Sequence, residues 1–447
     1  MARFPSCFDA PADVETIQRV QRSLIGPGAL LDAPCEVLVA AHDVPVFRYA
    51  VTAYPPHLHP GCPPPEPIHG AGCGLTRTAA LASACGEVIE RYSGWRCHLD
   101  EAMRAPFRAL HVHAVDPRRF ALYADTQYAD PDFHFYPISD TTVLHWVAGW
   151  SVTSAQQTYL PTCLVYQGRC GADTGDVCHF HTVSTGLACS LTDEMAILAG
   201  LYKVIEHDAI MIAWLNGLEL PRLAPPAGDP VLDELYHRLQ RAHRRTTVLD
   251  ATTDLGLPVR LALVENAAGA PVECAMGMAA CLNPIQAHRQ ALLEAIHTVN
   301  WLHQLKQRRP ALPQADAALS PQTCDDHVFL YGHPWAAPWL DMWRRGPWRE
   351  ETPATLSMHA TPEQQFDGLV RCLAEHDLEV LTVDVTLPDV AEAGFRVWRT
   401  VVPGLIPLTV GRDACLGGTR LRTVPARLGW HEAYGPGRWN PAPHPFP

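Results

Sequence analysis

The sequence predicts an α+β protein built from repeated strand–helix units, and three observations carry that prediction. A glycine turn or strand-like segment runs into a helical stretch at three places, residues 70–94, 184–218 and 271–305. The three helical stretches share a pattern of carboxylates on one face. The remaining segments alternate short apolar runs with polar, helix-spaced ones, punctuated by proline joints.

In chain order, Val14 to Leu24 has helical spacing, and 36–41 and 44–53 read as strands, giving a small α/β lead-in over residues 1–66. A proline-rich joint, HLHPGCPPPEP (57–67), closes it. A glycine-alternating turn (Gly70, Gly72, Gly74) follows, with Thr76 or Thr78 as N-cap of the first alanine-rich helix. Residues 110–165 read as short strands and turns, with strands at 141–147 and 158–165. The second helix is capped by Thr192 or Asp193, and Ile197, Leu201 and Ile205 keep its spacing. A polar helix at 231–245 and strands at 261–264 and 271–279 come next. Asn283-Pro284 is an N-cap followed by proline at the first helical position, which opens the third helix, to about Leu305. The stretch 308–360, rich in Pro, Trp and His, reads as a long irregular loop or lid. A helix at 362–376, strands at 380–385 and 394–402 and a turn-rich tail, NPAPHPFP, complete the pattern.

Composition narrows the function classes. The 447 residues, 47% hydrophobic and 18% charged, suffice for a large core in more than one subdomain. Against 34 Lys and Arg stand 47 Asp and Glu, a net charge of −13 without any basic block. That balance argues against nucleic acid or an anionic membrane as partner. The opening residues show no signal-peptide pattern, and no apolar run reaches the length of a membrane span. The 15 cysteines include no Cys-x-x-Cys, and Cys189, Cys281 and Cys372 sit in apolar segments. They read as reduced core residues of a cytoplasmic protein.

If helical, the segment 70–94 places Ser83, Glu87, Glu90 and Arg91 at i, i+4, i+7 and i+8, on one face. A solvated charged face would have the same spacing. The second helix echoes the motif, with Lys203-Val-Ile-Glu206-His207 against Glu87-Val-Ile-Glu90-Arg91, and the third repeats it with Gln290, Glu294 and His297. Carboxylates converging from three helices would repel one another unless a divalent cation or a polyphosphate–metal complex stood between them.

These residues resemble the signatures of the YcaO family. Ser83-x-x-x-Glu87-x-x-Glu90-Arg91 is similar to the first signature, Ser184-Thr-Gly-Leu-Ala188 with Val204-Ile-Glu206-x-Asp208-Ala209 to the second, and Ala291-Leu-x-Glu294-Ala295 to the third. Val383-Asp-Val-Thr-x-Pro-Asp389, Gly394-Phe-x-Val-x-Arg399 and Val402-Pro-Gly-Leu405 resemble the family's C-terminal strands. Pro443-His-Pro-Phe-Pro447 resembles the proline-alternating tail of members that form azolines in ribosomal peptides. The resemblance implies a YcaO-type ATP-binding fold of mixed and antiparallel sheets packed with helices over residues 67–447. It implies Mg²⁺ at Glu87, Glu90 and Glu206, ATP contacts from Ser83 and Arg399, and Glu294 as a nucleotide-site acid; Arg91, Lys203 and His207 are further cofactor-binding candidates on the same helices. It also implies a catalytic tail (Pro443, Pro445, Pro447) whose terminal carboxylate accepts a proton.

The expected activity is ATP-dependent cyclodehydration of Cys, Ser or Thr in a precursor peptide, through phosphorylation of an amide oxygen. Thioamide formation and a non-catalytic docking scaffold are the alternatives. The expected partners are the precursor peptide, a separate leader-binding protein of ubiquitin-activating type, and a second copy of the chain. Three departures from the family pattern stand out. Cys73 takes the place of a usual Gly-Lys-Gly, which removes a phosphate-directed lysine. Lys203 and His207 replace a Glu and an Arg around Glu206, which removes an acid and offers an ammonium. His297 stands where Gln is common.

Overall fold

The computed structural model describes residues 10–25, 30–54, 67–95, 102–111, 113–120, 123–167, 179–181, 183–267, 273–310, 321–350, 361–411, 413–430, 434 and 438–446. The chain divides into two compact units, each assembled from separated segments. One comprises residues 1–38, 46–204 and 362–403, the other 39–45, 205–361 and 404–447.

The first unit holds two antiparallel sheets. Cys35–Glu36, Phe47–Ala53 and Ile68–Gly74 form a three-stranded sheet in chain order. A six-stranded sheet runs Met103–Pro106, Val143–Ser151, Leu381–Asp384, Arg396–Val401, Leu187–Ser190, with Gln156–Pro161 paired to Val143–Ser151. The helix Arg77–Trp95 buries Ala84, Cys85, Val88 and Ile89 in a core shared with Val51, Leu187, Leu381, Phe395 and Val397. Thr76 caps that helix, its hydroxyl accepting from the Ala79 N–H at 3.1 Å.

The second unit is built on one five-stranded sheet, ordered Cys274–Ala280, Val259–Asn266, Arg244–Asp250, Arg222–Leu223, Trp348–Arg349, antiparallel except for its last pair. Cys274–Ala280 is buried on both faces, and the helix Pro284–Arg308 covers it. Asn283 caps this helix as expected, its side chain accepting from Ile285 and Gln286. The second helix, Asp193–Asn216, is capped by Thr192; its residues up to Val204 belong to the first unit and those from Ile205 to the second.

Four expectations are corrected. The glycine turn at 70–74 is instead the strand Ile68–Gly74. Its glycines are there because the helix lies against them: a Cβ on Gly72 would sit 2.2 Å from the Ala80 carbonyl oxygen. The strand expected at 36–41 shrinks to Cys35–Glu36. The strand expected at 158–165 ends at Pro161 and gives way to the helical turn Thr162–Val165. The region 308–360 is no plain loop. Its described part carries the helices Cys324–Leu330 and Asp341–Arg345, the 3₁₀ turn Pro334–Leu340 and the strand Trp348–Arg349. Thr323 caps the first of these with Asp326 reciprocating, a local signal that the aromatic and proline content masked. The proline joint falls largely outside the described residues. No helix among the described residues is long and apolar enough to cross a membrane.

Candidate active site

In the first unit, Ile68–Gly74 and Arg77–Trp95 approach so closely that helix side chains reach the strand's backbone. Glu87 is buried, and its Oε2 accepts the Ala71 N–H at 3.1 Å. Its Oε1 pairs with Arg91 at 2.6 Å, and Arg91 also donates to the His69 carbonyl. One turn on, Glu90 is buried too, with Lys203 Nζ 3.0 Å from its Oε1. Lys203 also donates to the Leu187 carbonyl at 3.2 Å. Glu90 Oε2 is buried with no hydrogen-bond partner among the described residues. A buried carboxylate oxygen with open lone pairs is unfavourable unless a cation or donor meets it, and a hard divalent ion is such a group.

Arg399, buried on Arg396–Val401, donates to the Leu164 and Val183 carbonyls at 3.0 and 2.8 Å. Burial pulls its guanidinium down to about 10, partly offset by the charge of Glu90. Glu90 therefore faces two cations. Ser83 is half-buried on the same helix, and Cys73 lies on the strand opposite Arg48. Burial pushes the neighbouring Cys85 thiol up to about 12, and Cys189 is raised as well, so neither is a nucleophile.

In the second unit two further glutamates behave as Glu87 does. Glu294 Oε2 accepts the Met278 N–H at 2.8 Å, and Glu206 Oε2 accepts the Ala280 N–H at 2.7 Å. Both strand amides lie on Cys274–Ala280, and each buried acid is thereby oriented by a backbone donor. His207 and His297 are buried. Asp208, fully buried, is held by Arg420 and by the Ile406 N–H. Burial raises its carboxyl, which marks it as structural, not as a metal ligand.

The tail of the second unit is packed without helix or strand. Prolines at 441, 443 and 445 have no N–H to give a ladder, so the carbonyls find side-chain donors. The Trp214 indole donates to Ala442 O at 3.0 Å, Tyr331 to Pro443 O at 2.5 Å, and His327 Nδ1 to His444 O at 2.7 Å. Phe446 is fully buried near Trp343. Pro443 and Pro445 are thus placed in an ordered tail, whereas Pro447 lies outside the described residues. Trp214, Tyr331 and His327 were missed by sequence reasoning. Nothing local marks them, because each acts more than a hundred residues from its own position.

The fold and these residues define an α+β protein that presents buried, backbone-oriented glutamates on helices, an oxygen-donor set suited to a hard divalent cation. The chain belongs to the YcaO family: the family model, described as a YcaO cyclodehydratase binding ATP and Mg²⁺, matches residues 71–406. Among solved structures, a heterocyclase in complex with substrate and cofactor is similar at a TM-score of 0.73 and 23% identity, over 97% of this chain and 57% of that one. A YcaO protein from Methanopyrus kandleri bound with AMPPCP and Mg²⁺ is similar at 0.61 and 19%, over 88% and 91%. The E. coli microcin synthetase McbBCD complex is similar at 0.58 and 12%, over 93% and 96%. At these identities the likenesses show the fold. The chain spans about half the length of the curated relatives it matches, among them an uncharacterised protein in the tfuA 3′ region of Rhizobium leguminosarum bv. trifolii. That relative is 28% identical over 199 residues, 43% of this chain and 44% of its own length.

Proposed function

We propose that this chain is the ATP-dependent cyclodehydratase component of a pathway that forms thiazolines or oxazolines in a ribosomal precursor peptide. The observation that carries the proposal is Glu90 Oε2, buried and without a hydrogen-bond partner among the described residues, beside the backbone-oriented Glu87. Family membership and the heterocyclase fold support the same reading.

Glu87, Glu90 and Glu206 would hold Mg²⁺, with Ser83, Arg91, Lys203, His207, Glu294 and Arg399 as nucleotide-site residues. Bound ATP would supply the phosphoryl group that converts a poor leaving oxygen into phosphate, and Mg²⁺ would neutralise its charge. The chain's own residues fix carboxylate direction through strand amides, so little reorganisation is needed when a cation arrives. The Cys, Ser or Thr side chain of the peptide would add to the preceding amide carbonyl, closing the five-membered ring as its own proton passes to the former carbonyl oxygen, which would then take the phosphoryl group. Loss of phosphate and of the amide N–H proton would leave the C=N bond of the azoline. The ordered tail is the candidate acceptor of that proton. A separate leader-binding protein and the precursor peptide are the proposed partners, a reading supported by the resemblance of McbBCD, itself a complex.

A docking scaffold without turnover is the second reading. The Lys203–Glu90 pair favours it, because an ammonium occupies one oxygen of a proposed metal ligand. Phosphate release by the purified chain with its partner and a Cys-containing precursor separates the two. The proposal expects ATP-dependent release with loss of one water per heterocycle. Stoichiometric peptide binding without ATP turnover would leave only the scaffold.

A further inference from the structure

The prolines leave the tail dependent on side-chain donors, and one of them belongs to a histidine pair with closed hydrogen-bond accounting. His327 and His444 stack at 4.0 Å between centroids and 10° between planes. The Gly411 N–H donates to His327 Nε2 at 3.0 Å, so that nitrogen is the acceptor and Nδ1 carries the proton given to His444 O. On His444, Nδ1 accepts the Phe446 N–H at 3.3 Å and Nε2–H donates to Thr409 O at 2.5 Å. Each ring is therefore neutral and has one nitrogen turned to a backbone N–H. A proton added to either ring would set two donors face to face and lay a cation against its stacked neighbour.

We propose that His327 is the positioning residue of the C-terminal tail, and that the His327–His444 pair is a latch that opens when either ring is protonated. Its bearing on catalysis rests on the function proposed above for the tail; the latch itself does not.

The direction of titration agrees. Burial brings His327 down to about 4 and holds His444 well below the ordinary histidine range. Among the described residues, the ionisable groups acting on the pair are the two rings themselves and Asp326, on the helix that carries His327 and paired with Arg309 at 2.7 Å. Because both folded values lie below the unfolded one, the latch contributes its full stability above about pH 6.5. That contribution falls as the pH drops toward 4.

Amide hydrogen exchange of the full chain tests this at Phe446, corrected for the intrinsic pH dependence of exchange. Between pH 7.5 and 5.0 the wild type should lose protection there by about 30-fold or more, the factor that a shift from about 6.5 to about 4 implies for one ring. His327→Asn keeps a donor at the Nδ1 position and does not titrate. It should stay protected at pH 7.5 and lose less on acidification. His327→Leu should already be unprotected at pH 7.5. Equal protection of the wild type at the two pH values would overturn the latch, as would His327→Leu matching the wild type at both. Removing residues 443–447 separates the two readings: full azoline formation after truncation refutes the tail's part in the chemistry and leaves the exchange result standing.

Discussion

Two regions of the molecule share one construction and differ in charge. In the first unit, Gly70 on a strand lies under Ala84 and Val88 of the following helix, and Glu87 reaches the Ala71 amide. In the second, Gly277 lies under Ala291 and Ala295, and Glu294 reaches the Met278 amide. Carboxylate and strand amide are 16 residues apart in both. The repetition concerns backbone approach, which small residues permit and any Cβ would block. The chemistry diverges one turn further along. Glu90 and Arg91 of the first region are answered by His297 and Thr298 in the second, where the strand is buried throughout. Lys203 pairs with Glu90, and Arg399 feels its charge. A duplicated scaffold can thus hold a carboxylate in place twice and carry different side chains one turn beyond it.

Breaking the scaffold should have the largest effect. A Cβ on residue 277 would lie 2.2 Å from the Ala295 nitrogen and one on residue 72 equally close to the Ala80 carbonyl, both backbone atoms that cannot turn aside. Gly277→Ala and Gly72→Ala should each cost about 3 kcal/mol or more, read by denaturant unfolding. If either costs less than Gly228→Ala, at φ +80 with nothing within 4 Å, the close-approach account fails.

The charged cluster comes next. Lys203→Met leaves Glu90 buried without its ammonium and should cost roughly 3–5 kcal/mol, whereas Lys203→Met with Glu90→Gln should recover most of that loss. Additive losses in the double variant would mean that the two side chains are not coupled. Glu87→Gln keeps an acceptor for the Ala71 amide but removes the charge. It should reduce ATP turnover by about 100-fold with unfolding unchanged. Undiminished turnover would return Glu87 to a purely structural role like that of Asp208. Glu294→Gln should have a small effect on stability, under about 1 kcal/mol, since the Met278 amide keeps an oxygen partner. Glu294→Leu, which removes it, should cost about 1–3 kcal/mol more.

Much of this was legible in the sequence because it is local. Helix spacing placed Ser83, Glu87, Glu90 and Arg91 together, and Asn283-Pro284 marked a helix start to the residue. The glycines at 70–74 were visible but misread, since alternating glycine suits a turn as well as a strand pressed against a helix. Only the packed helix decides between them. Lys203 pairs with Glu90, 113 residues away in sequence, a contact no spacing rule reaches. The tail's donors were invisible for the same reason. Its prolines announced missing N–H groups, yet Trp214, Tyr331 and His327 come to it through tertiary structure alone.

The central claim, that an amide oxygen leaves as phosphate, is tested most directly by isotope transfer. A precursor peptide carrying ¹⁸O in the backbone carbonyl that precedes a modified cysteine is incubated with the chain, its partner, Mg²⁺ and ATP. The account predicts ¹⁸O in the released phosphate, one atom per azoline formed. Label released into water, with unlabelled phosphate, would contradict it.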